Sequence, residues 1–226
     1  GFFSQELVKN IIVVDNNSSD NTVNIAKESG ATVIEKKVNK GYTDSCMLGF
    51  NESLKTDSNI VSLIDSDGTF SPNDLKKMIP YLENCDMVVG TRQVQTLTEK
   101  GNQNSMFYVW GNMLLAKLLQ LKYFSLLHLG IVQLTDVGCS YRCIRRDALE
   151  KIIDELTNPT DLSILKPKNW LFSLYMTMLA IENDLKIVEI PLTFRKRDIG
   201  ESKSEVTKKS KGFVYGMKFL WFILKR

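Results

Sequence analysis

Asn59-Ile60-Val61-Ser62-Leu63-Ile64-Asp65-Ser66-Asp67-Gly68-Thr69-Phe70 is the stretch on which the reading of this 226-residue chain turns. Residues 59–64 form a short apolar run rich in β-branched side chains, the composition of a buried strand. The run ends in two carboxylates one residue apart. Side chains at i and i+2 of an extended segment point the same way, so Asp65 and Asp67 converge. Converging anions repel unless a cation lies between them. Hard oxygen donors suit Mg2+ or Mn2+, ions that commonly hold phosphate oxygens as well. In an open α/β sheet, ligands gather in the crevice outside the carboxyl ends of the strands. A D-x-D alone also describes a solvated turn, so the flanking sequence has to discriminate.

Upstream, Ile11-Ile12-Val13-Val14-Asp15 repeats the pattern of a buried strand closed by a carboxylate. Asn16-Asn17-Ser18-Ser19 is turn chemistry. Asp20-Asn21-Thr22 opens a helix to about Ser29, closed by Gly30. Ala31 to Lys36 predicts a second strand, Asn39-Lys40-Gly41 a turn, and a helix follows to about Lys55. Downstream, Pro72 sits in the first turn of a helix running to about Glu83. Asp86 to Gly90 predicts a strand followed by Thr91-Arg92. Strands alternating with helices predict an α/β domain on a parallel or mostly parallel sheet flanked by helices.

Beyond Gly101 the character changes. Ser105 to about Leu121 is apolar at helical spacing and reads as a core helix or one lying against a membrane; Trp110 and the stripe from Met106 to Leu121 read as core. Leu126 to Leu134 continues apolar, and His128 within it reads as a packed residue. Thr135 to Arg142 is polar and aromatic, and Asp147 opens a helix. A loop at 158–169 precedes a helix at 170–181. Leu185 to Phe194 reads as a strand that Pro191 places near a sheet edge. A basic loop leads to a helix over Gly212 to Arg226.

Composition sets the outer limits. The chain is 43% hydrophobic and 24% charged, which suits one globular domain with a sizeable core. Residues 195–226 hold ten Lys/Arg against three Asp/Glu, a net of +7 in a chain whose total is +3, so the rest carries −4. A basic tail on a mildly acidic body points to an anionic partner, a membrane surface or a phosphate. It contains no nucleic-acid-binding module, so no nucleic acid is expected. Cys46, Cys85, Cys139 and Cys143 form no C-x-x-C pair and read as free thiols. Lys117, Lys122 and Lys218 interrupt the longest apolar stretches, so no transmembrane span is expected.

The order of these pieces resembles the family-2 glycosyltransferases of GT-A fold. The matching segments are Val13 to Thr22, Asn39-Lys40-Gly41, Asp65-Ser66-Asp67-Gly68, Gly90-Thr91-Arg92, Asp136 to Arg142 and Arg197 to Lys203. The last two, with Glu189-Ile190-Pro191 between them, are most similar to the branch of dolichyl-phosphate mannose synthases and polyprenyl-phosphate glycosyltransferases. The resemblance spans about residues 10–205. It lacks the family's opening strand and Pro-x-x-Asn-Glu turn, so the chain is expected to be an N-terminally truncated transferase domain, 1–204. A basic amphipathic helix follows over 205–226.

The resemblance implies an inverting transfer of sugar from a nucleotide-diphosphate sugar, of GDP-mannose or UDP-glucose type, to a polyprenyl or dolichyl phosphate at the cytoplasmic face of a membrane. It implies Asp136 as the catalytic residue, Asp65 and Asp67 as ligands of Mg2+ or Mn2+, and Asp15, Asn17, Lys40, Asp65 and Arg92 as donor contacts. Arg197, Ser202 and Lys203 would form a phosphate-binding loop, where Gly200 would allow a tight fold. A hydroxyl acceptor on a polysaccharide or glycolipid, and an inactive nucleotide-sugar-binding or membrane-associated protein, stay open as alternatives. Arg142, Arg145 and Arg146 read as a solvated helix start or a phosphate contact.

Overall fold

The computed structural model describes residues 7–94, 97–99, 106–124, 132–160, 171–196 and 209–226. The phosphate-loop residues Arg197, Ser202 and Lys203, together with Gly200 and His128, lie outside them.

The first strands form where expected. Strand β1 (Ile12–Asp15) pairs in parallel with β2 (Thr32–Glu35), joined by helix α1 (Thr22–Glu28). Helix α2 (Tyr42–Ser53) leads to β3 (Ile60–Leu63). The next helical stretch, Pro72–Glu83, is irregular: two 3-10 segments flank a single α-turn, Leu75–Met78, here α3. Pro80 lies in the second of these segments, where a missing N–H works against a continuous α-helix. Strand β4 (Met87–Thr91) follows. Then come α4 (Met106–Lys122), β5 (Arg142–Arg145), α5 (Arg146–Thr157), α6 (Phe172–Glu182), β6 (Ile187–Pro191) and α7 (Lys209–Lys225).

Strands β3 to β6 make one sheet in the order β3-β5-β4-β6, while β1 and β2 stand as a separate pair. Among the described residues no strand pairs β1 to β3. Helix α2 packs on both and bridges the two sheets. Strand β6 is at the sheet edge, as Pro191 requires.

Strand β5 is the element that the alternation of strands and helices does not announce. It runs antiparallel to both β3 and β4, with Ser62 opposite Cys143 and Val89 opposite Arg142. Its sequence, Arg-Cys-Ile-Arg, carries no strand signal because it is only four residues long with an arginine at each end. The reversal has a consequence for the site. The amino end of β5, rather than its carboxyl end, lies beside the carboxyl ends of β3 and β4, so the loop carrying Asp136 arrives at the edge that carries Asp65, Asp67 and Arg92.

Both faces of this sheet are covered, which explains why β4 is buried throughout. Met87 and Val89 face a core built with α2, α5 and α6, whereas Val88 faces a second core with Phe70, Met78, Tyr141 and Leu192. Helix α6 is buried from Phe172 to Ala180, and α5 buries Ala148, Leu149, Ile152, Ile153 and Leu156 at helical spacing. All four cysteines are free and buried.

Gly90 marks the tightest approach in this packing. A Cβ there would lie 2.1 Å from Leu192 Cδ1 and 2.8 Å from Leu192 Cγ. Leu192 is completely buried and has nowhere to move. Gly90→Ala is therefore expected to destabilise the protein by about 1–3 kcal/mol, the usual cost of overpacking, seen as a lower midpoint with an unchanged m-value in urea.

Helix α4 differs from the expectation of a core helix. Leu115, Ala116 and Leu119 are buried, but Trp110, Leu114 and Leu121 are 64%, 62% and 73% exposed. Helix α7 packs beside it. Lys122 Nζ donates to the Ile223 carbonyl at 2.5 Å, and Arg226 holds Glu155 and Glu182 at 2.5 and 2.7 Å. Phe222 and Ile223 are buried, while Phe213, Val214, Met217, Trp221 and Leu224 are exposed. No helix of the described residues is long and apolar enough to cross a membrane.

Candidate active site

Asp15, at the carboxyl end of β1, is buried. Its Oδ2 accepts from the Ser18 amide at 3.0 Å, and its buried Oδ1 has no hydrogen-bond partner within the protein. A buried carboxylate oxygen of this kind is costly until a donor arrives. Asn17 is exposed and takes a left-handed backbone, φ 64°, that turns the chain. The contact across the neighbouring turns comes from Asn16 instead. Its Nδ2 donates to Asn39 Oδ1 at 2.7 Å, and its Oδ1 accepts from the Lys40 amide at 3.2 Å. The Lys40 side chain itself is exposed.

Asp65 and Asp67 sit just past β3. Asp65 is held on both oxygens: Tyr42 Oη donates to Oδ1 at 3.2 Å and Ser140 Oγ to Oδ2 at 2.6 Å. Tyr42 opens α2, next to the turn that Asn16 supports, so this bond links the two sheets' carboxyl ends. Gly68, at φ 79°, lets the chain turn back after the carboxylates. Asp67 Oδ1 then accepts from the Thr69 amide at 3.1 Å and its hydroxyl at 2.6 Å. Burial pushes the Asp65 carboxyl above its ordinary value and the adjacent Asp67 adds to this, against the bonds from Ser140 and Tyr42.

Arg92 and Asp136 are brought together. Arg92 Nε donates to Asp136 Oδ2 at 2.7 Å and Nη2 to Oδ1 at 2.8 Å, a two-point fork. The Arg92 amide adds a bond to Oδ2 at 3.2 Å, and the Gly138 amide one to Oδ1 at 3.1 Å. The Asp136 side chain is fully buried and that of Arg92 is 20% exposed. Burial pushes the Asp136 carboxyl up, but the Arg92 guanidinium outweighs it and holds the group below the ordinary carboxylate range. The same partnership raises Arg92 despite its burial. A side chain at Gly138 would come within 3.2 Å of Arg92 Nη2, so glycine there leaves room for the fork.

Several contributors were not legible as site residues. Tyr42 lies outside the matching segments, and Ser140, inside one of them, was given no role. Glu189, on β6, accepts the amides of both Thr135 and Asp136 and the Thr135 hydroxyl. Burial pushes its carboxyl up, against those hydrogen bonds. The available signal was a carboxylate set among Ile187, Val188 and Ile190 in a strand, a position that demands partners. Arg142 is neither solvated nor at a helix start. It is 1% exposed and donates to the carbonyls of Cys139 at 2.6 Å, Ser173 at 3.0 Å and Ser140 at 3.3 Å. It thereby fixes the segment from which Ser140 reaches Asp65, and burial lowers its pKa. Arg145 and Arg146 make surface pairs with Asp147 and Glu150.

Two acidic residues suit a hard divalent cation, since Mg2+ and its relatives bind through one or two carboxylates plus substrate phosphates. The described residues hold no cluster of three or more metal-ligating side chains. A carboxylate offers about four lone-pair positions, so Asp65 keeps acceptor capacity beside its two hydroxyl donors, which fix its orientation.

Comparisons with known proteins identify the family and the fold. Residues 3–153 match the family model described as glycosyl transferase family 2. The chain is 29% identical over 200 residues to polyprenol monophosphomannose synthase of Mycolicibacterium smegmatis, covering 85% of this chain and 69% of that protein. It is 26% identical over 200 residues to undecaprenyl-phosphate mannosyltransferase of Micrococcus luteus, covering 85% and 74%. Among solved structures, glucosyl-3-phosphoglycerate synthase from Mycobacterium tuberculosis, in complex with Mn2+, UDP and glucosyl-3-phosphoglycerate, superposes with a TM-score of 0.58 at 16% identity. That match covers 97% of this chain and 69% of that one. At such identity the likeness speaks for the GT-A fold alone. With the family model matching more than half of the residues, the chain belongs to glycosyl transferase family 2 and is a glycosyltransferase of GT-A fold.

Proposed function

We propose that this glycosyltransferase moves a hexosyl group from a nucleoside diphosphate sugar to a polyprenyl phosphate at a membrane surface, by a single inverting displacement. The observation that carries the acceptor class is the Arg92–Asp136 fork. A hydroxyl acceptor must lose its proton, and an efficient general base has a pKa near the working pH. Asp136 is held below the ordinary carboxylate range, which makes it a poor base. A phosphate acceptor is already anionic at neutral pH and needs none. In this reading Asp136 occupies the fork of Arg92 and so fixes a buried positive charge beside the acceptor site, a charge that suits a phosphate. The names of the two sequence relatives, polyprenol monophosphomannose synthase and undecaprenyl-phosphate mannosyltransferase, agree with it.

In the displacement, an acceptor phosphate oxygen attacks the anomeric carbon as the bond to the nucleoside diphosphate breaks. Asp15 Oδ1 supplies an acceptor for a nucleoside N–H or hydroxyl, with Asn17 and Lys40 beside it. Asp65 and Asp67 would hold Mg2+ or Mn2+, which when bound offsets the charge on the diphosphate leaving group. Arg197, Ser202 and Lys203 would add contacts to phosphate. The exposed apolar residues of α4 and α7, with Lys117, Lys218 and Lys225 among them, suit a membrane interface, where each basic residue contributes about 1 kcal/mol near anionic lipid.

The test is calorimetric titration of GDP-mannose and UDP-glucose into the protein, with Mn2+ and with EDTA. A transfer assay then offers undecaprenyl phosphate and undecaprenol as competing acceptors. Metal-dependent binding of one donor and product on the phosphate alone are expected. Transfer to the alcohol instead would overturn the acceptor assignment.

A further inference from the structure

We propose that Glu189 is the positioning residue that sets the orientation of Asp136, and through it Arg92; this rests on the site as read above. Residues 132–140 have no regular structure, so no ladder holds their backbone, and their buried N–H groups need partners. Glu189 supplies them from the edge strand. Its two oxygens accept the Thr135 amide at 2.9 Å each. Oε1 takes the Asp136 amide at 2.9 Å, and Oε2 the Thr135 hydroxyl at 2.7 Å. Two successive amides held by one rigid carboxylate fix the peptide plane between them, and with it the direction in which Asp136 leaves the backbone.

The bonding continues to β4. Thr135 Oγ1 lies 2.8 Å from Thr91 Oγ1, and Thr91 precedes Arg92. Both partners of the ion pair therefore trace back to Glu189: Asp136 through its own amide, Arg92 through the Thr135–Thr91 hydroxyl contact. The fork holds the carboxylate end of Asp136 and Glu189 the backbone end.

The geometry separates reach from charge. In Glu189→Gln, one oxygen can accept both amides while the amide group donates to Thr135 Oγ1, whose hydroxyl in turn donates to Thr91 Oγ1. Glu189→Asp keeps the charge but is one methylene too short. Glu189→Ala leaves two backbone donors without an acceptor.

Two measurements test this on the purified protein. In transfer to undecaprenyl phosphate, Glu189→Ala and Glu189→Asp are expected to lower kcat by up to roughly 10²-fold, as about 1 Å of misplacement can. Glu189→Gln should stay within about fivefold of wild type, and donor Kd within about twofold in all three, differences under about 1 kcal/mol. The second readout needs no turnover. The Arg92 Nε–H resonance in 15N-arginine-labelled protein, assigned by its loss in Arg92→Lys, should exchange with water faster in Glu189→Ala and keep its protection in Glu189→Gln. Gln as impaired as Ala, Asp as active as wild type, or unchanged Nε–H exchange in Glu189→Ala would each overturn the proposal. A wild-type protein inactive toward polyprenyl phosphate refutes the acceptor reading instead, and the exchange measurement still decides on Glu189.

Discussion

Asp67→Ala is expected to abolish metal-dependent binding of the nucleotide sugar while leaving the fold intact. The two halves of this expectation have separate grounds. Asp67 bonds locally, accepting from the amide and hydroxyl of Thr69 two residues away. Its loss there costs about 1 kcal/mol, the net worth of an ordinary hydrogen bond. For the metal the loss is far larger. Among the described residues no third acidic, histidine or cysteine side chain joins Asp65 and Asp67 in a cluster, so under the proposed metal assignment the substitution removes one of the two proposed ligands. In calorimetry, wild-type protein with Mn2+ should give donor binding that EDTA erases, and Asp67→Ala should match the EDTA trace. Mn2+-dependent binding retained in the variant would sink the metal assignment.

Asp136→Asn should produce the largest loss of turnover, about 10³-fold in kcat, within the range found when a preorganised electrostatic group is removed from an active site. Donor affinity should change little, because the fork faces the acceptor side in the proposed mechanism. The same variant reports on stability, and the sign follows from linkage. The folded-state pKa of Asp136 is lowered from an ordinary value of 3.8. Its contribution is therefore fully present above that value and lost as pH falls through the lower, folded one. At pH 7 the variant leaves Arg92 without its charged partner, which costs about 3 kcal/mol for a buried pair. That corresponds to roughly 6–12 °C in Tm for a domain of this size. Below about pH 3.8 the gap between wild type and variant should narrow. A constant gap from pH 7 to pH 3 would show that the pair contributes no charge-dependent stability.

The strand ends proposed to meet the donor were legible because their signals are local. A strand that runs into a carboxylate needs only a few consecutive residues to announce itself, and Asp15 and Asp65–Asp67 did so. The turns at Asn39-Lys40-Gly41 and Gly68 follow from residues that tolerate positive φ. The strand–helix order needed only short β-branched apolar runs alternating with segments bounded by helix-start and turn residues.

Other features depended on partners remote in sequence. Arg92 and Asp136 are 44 residues apart, and nothing near either residue specifies the other. The sequence offered Arg92 as a donor contact, and only the neighbouring positions of the β4 end and the 132–141 loop pair it with Asp136. Arg142 looked like a surface cation because arginine usually is one. Its burial is possible only where the carbonyls of Cys139, Ser140 and Ser173 converge. Trp110 looked like core because an apolar helix normally buries its stripe. Which face of α4 is covered was decided by Leu115, Ala116 and Leu119 meeting the domain.

The sequence by itself determined the family and the α/β class, and it placed acidic residues at strand ends, since these reside in short segments whose backbone preference and chemistry are intrinsic. The tertiary structure alone decided the direction of β5. A four-residue strand bounded by arginines has too little pattern to reveal its pairing, and its antiparallel insertion between β3 and β4 is a property of the whole sheet. That single reversal brings the Asp136 loop to the edge where Arg92 and the paired carboxylates wait, and sets it within reach of Glu189, 53 residues away from Asp136.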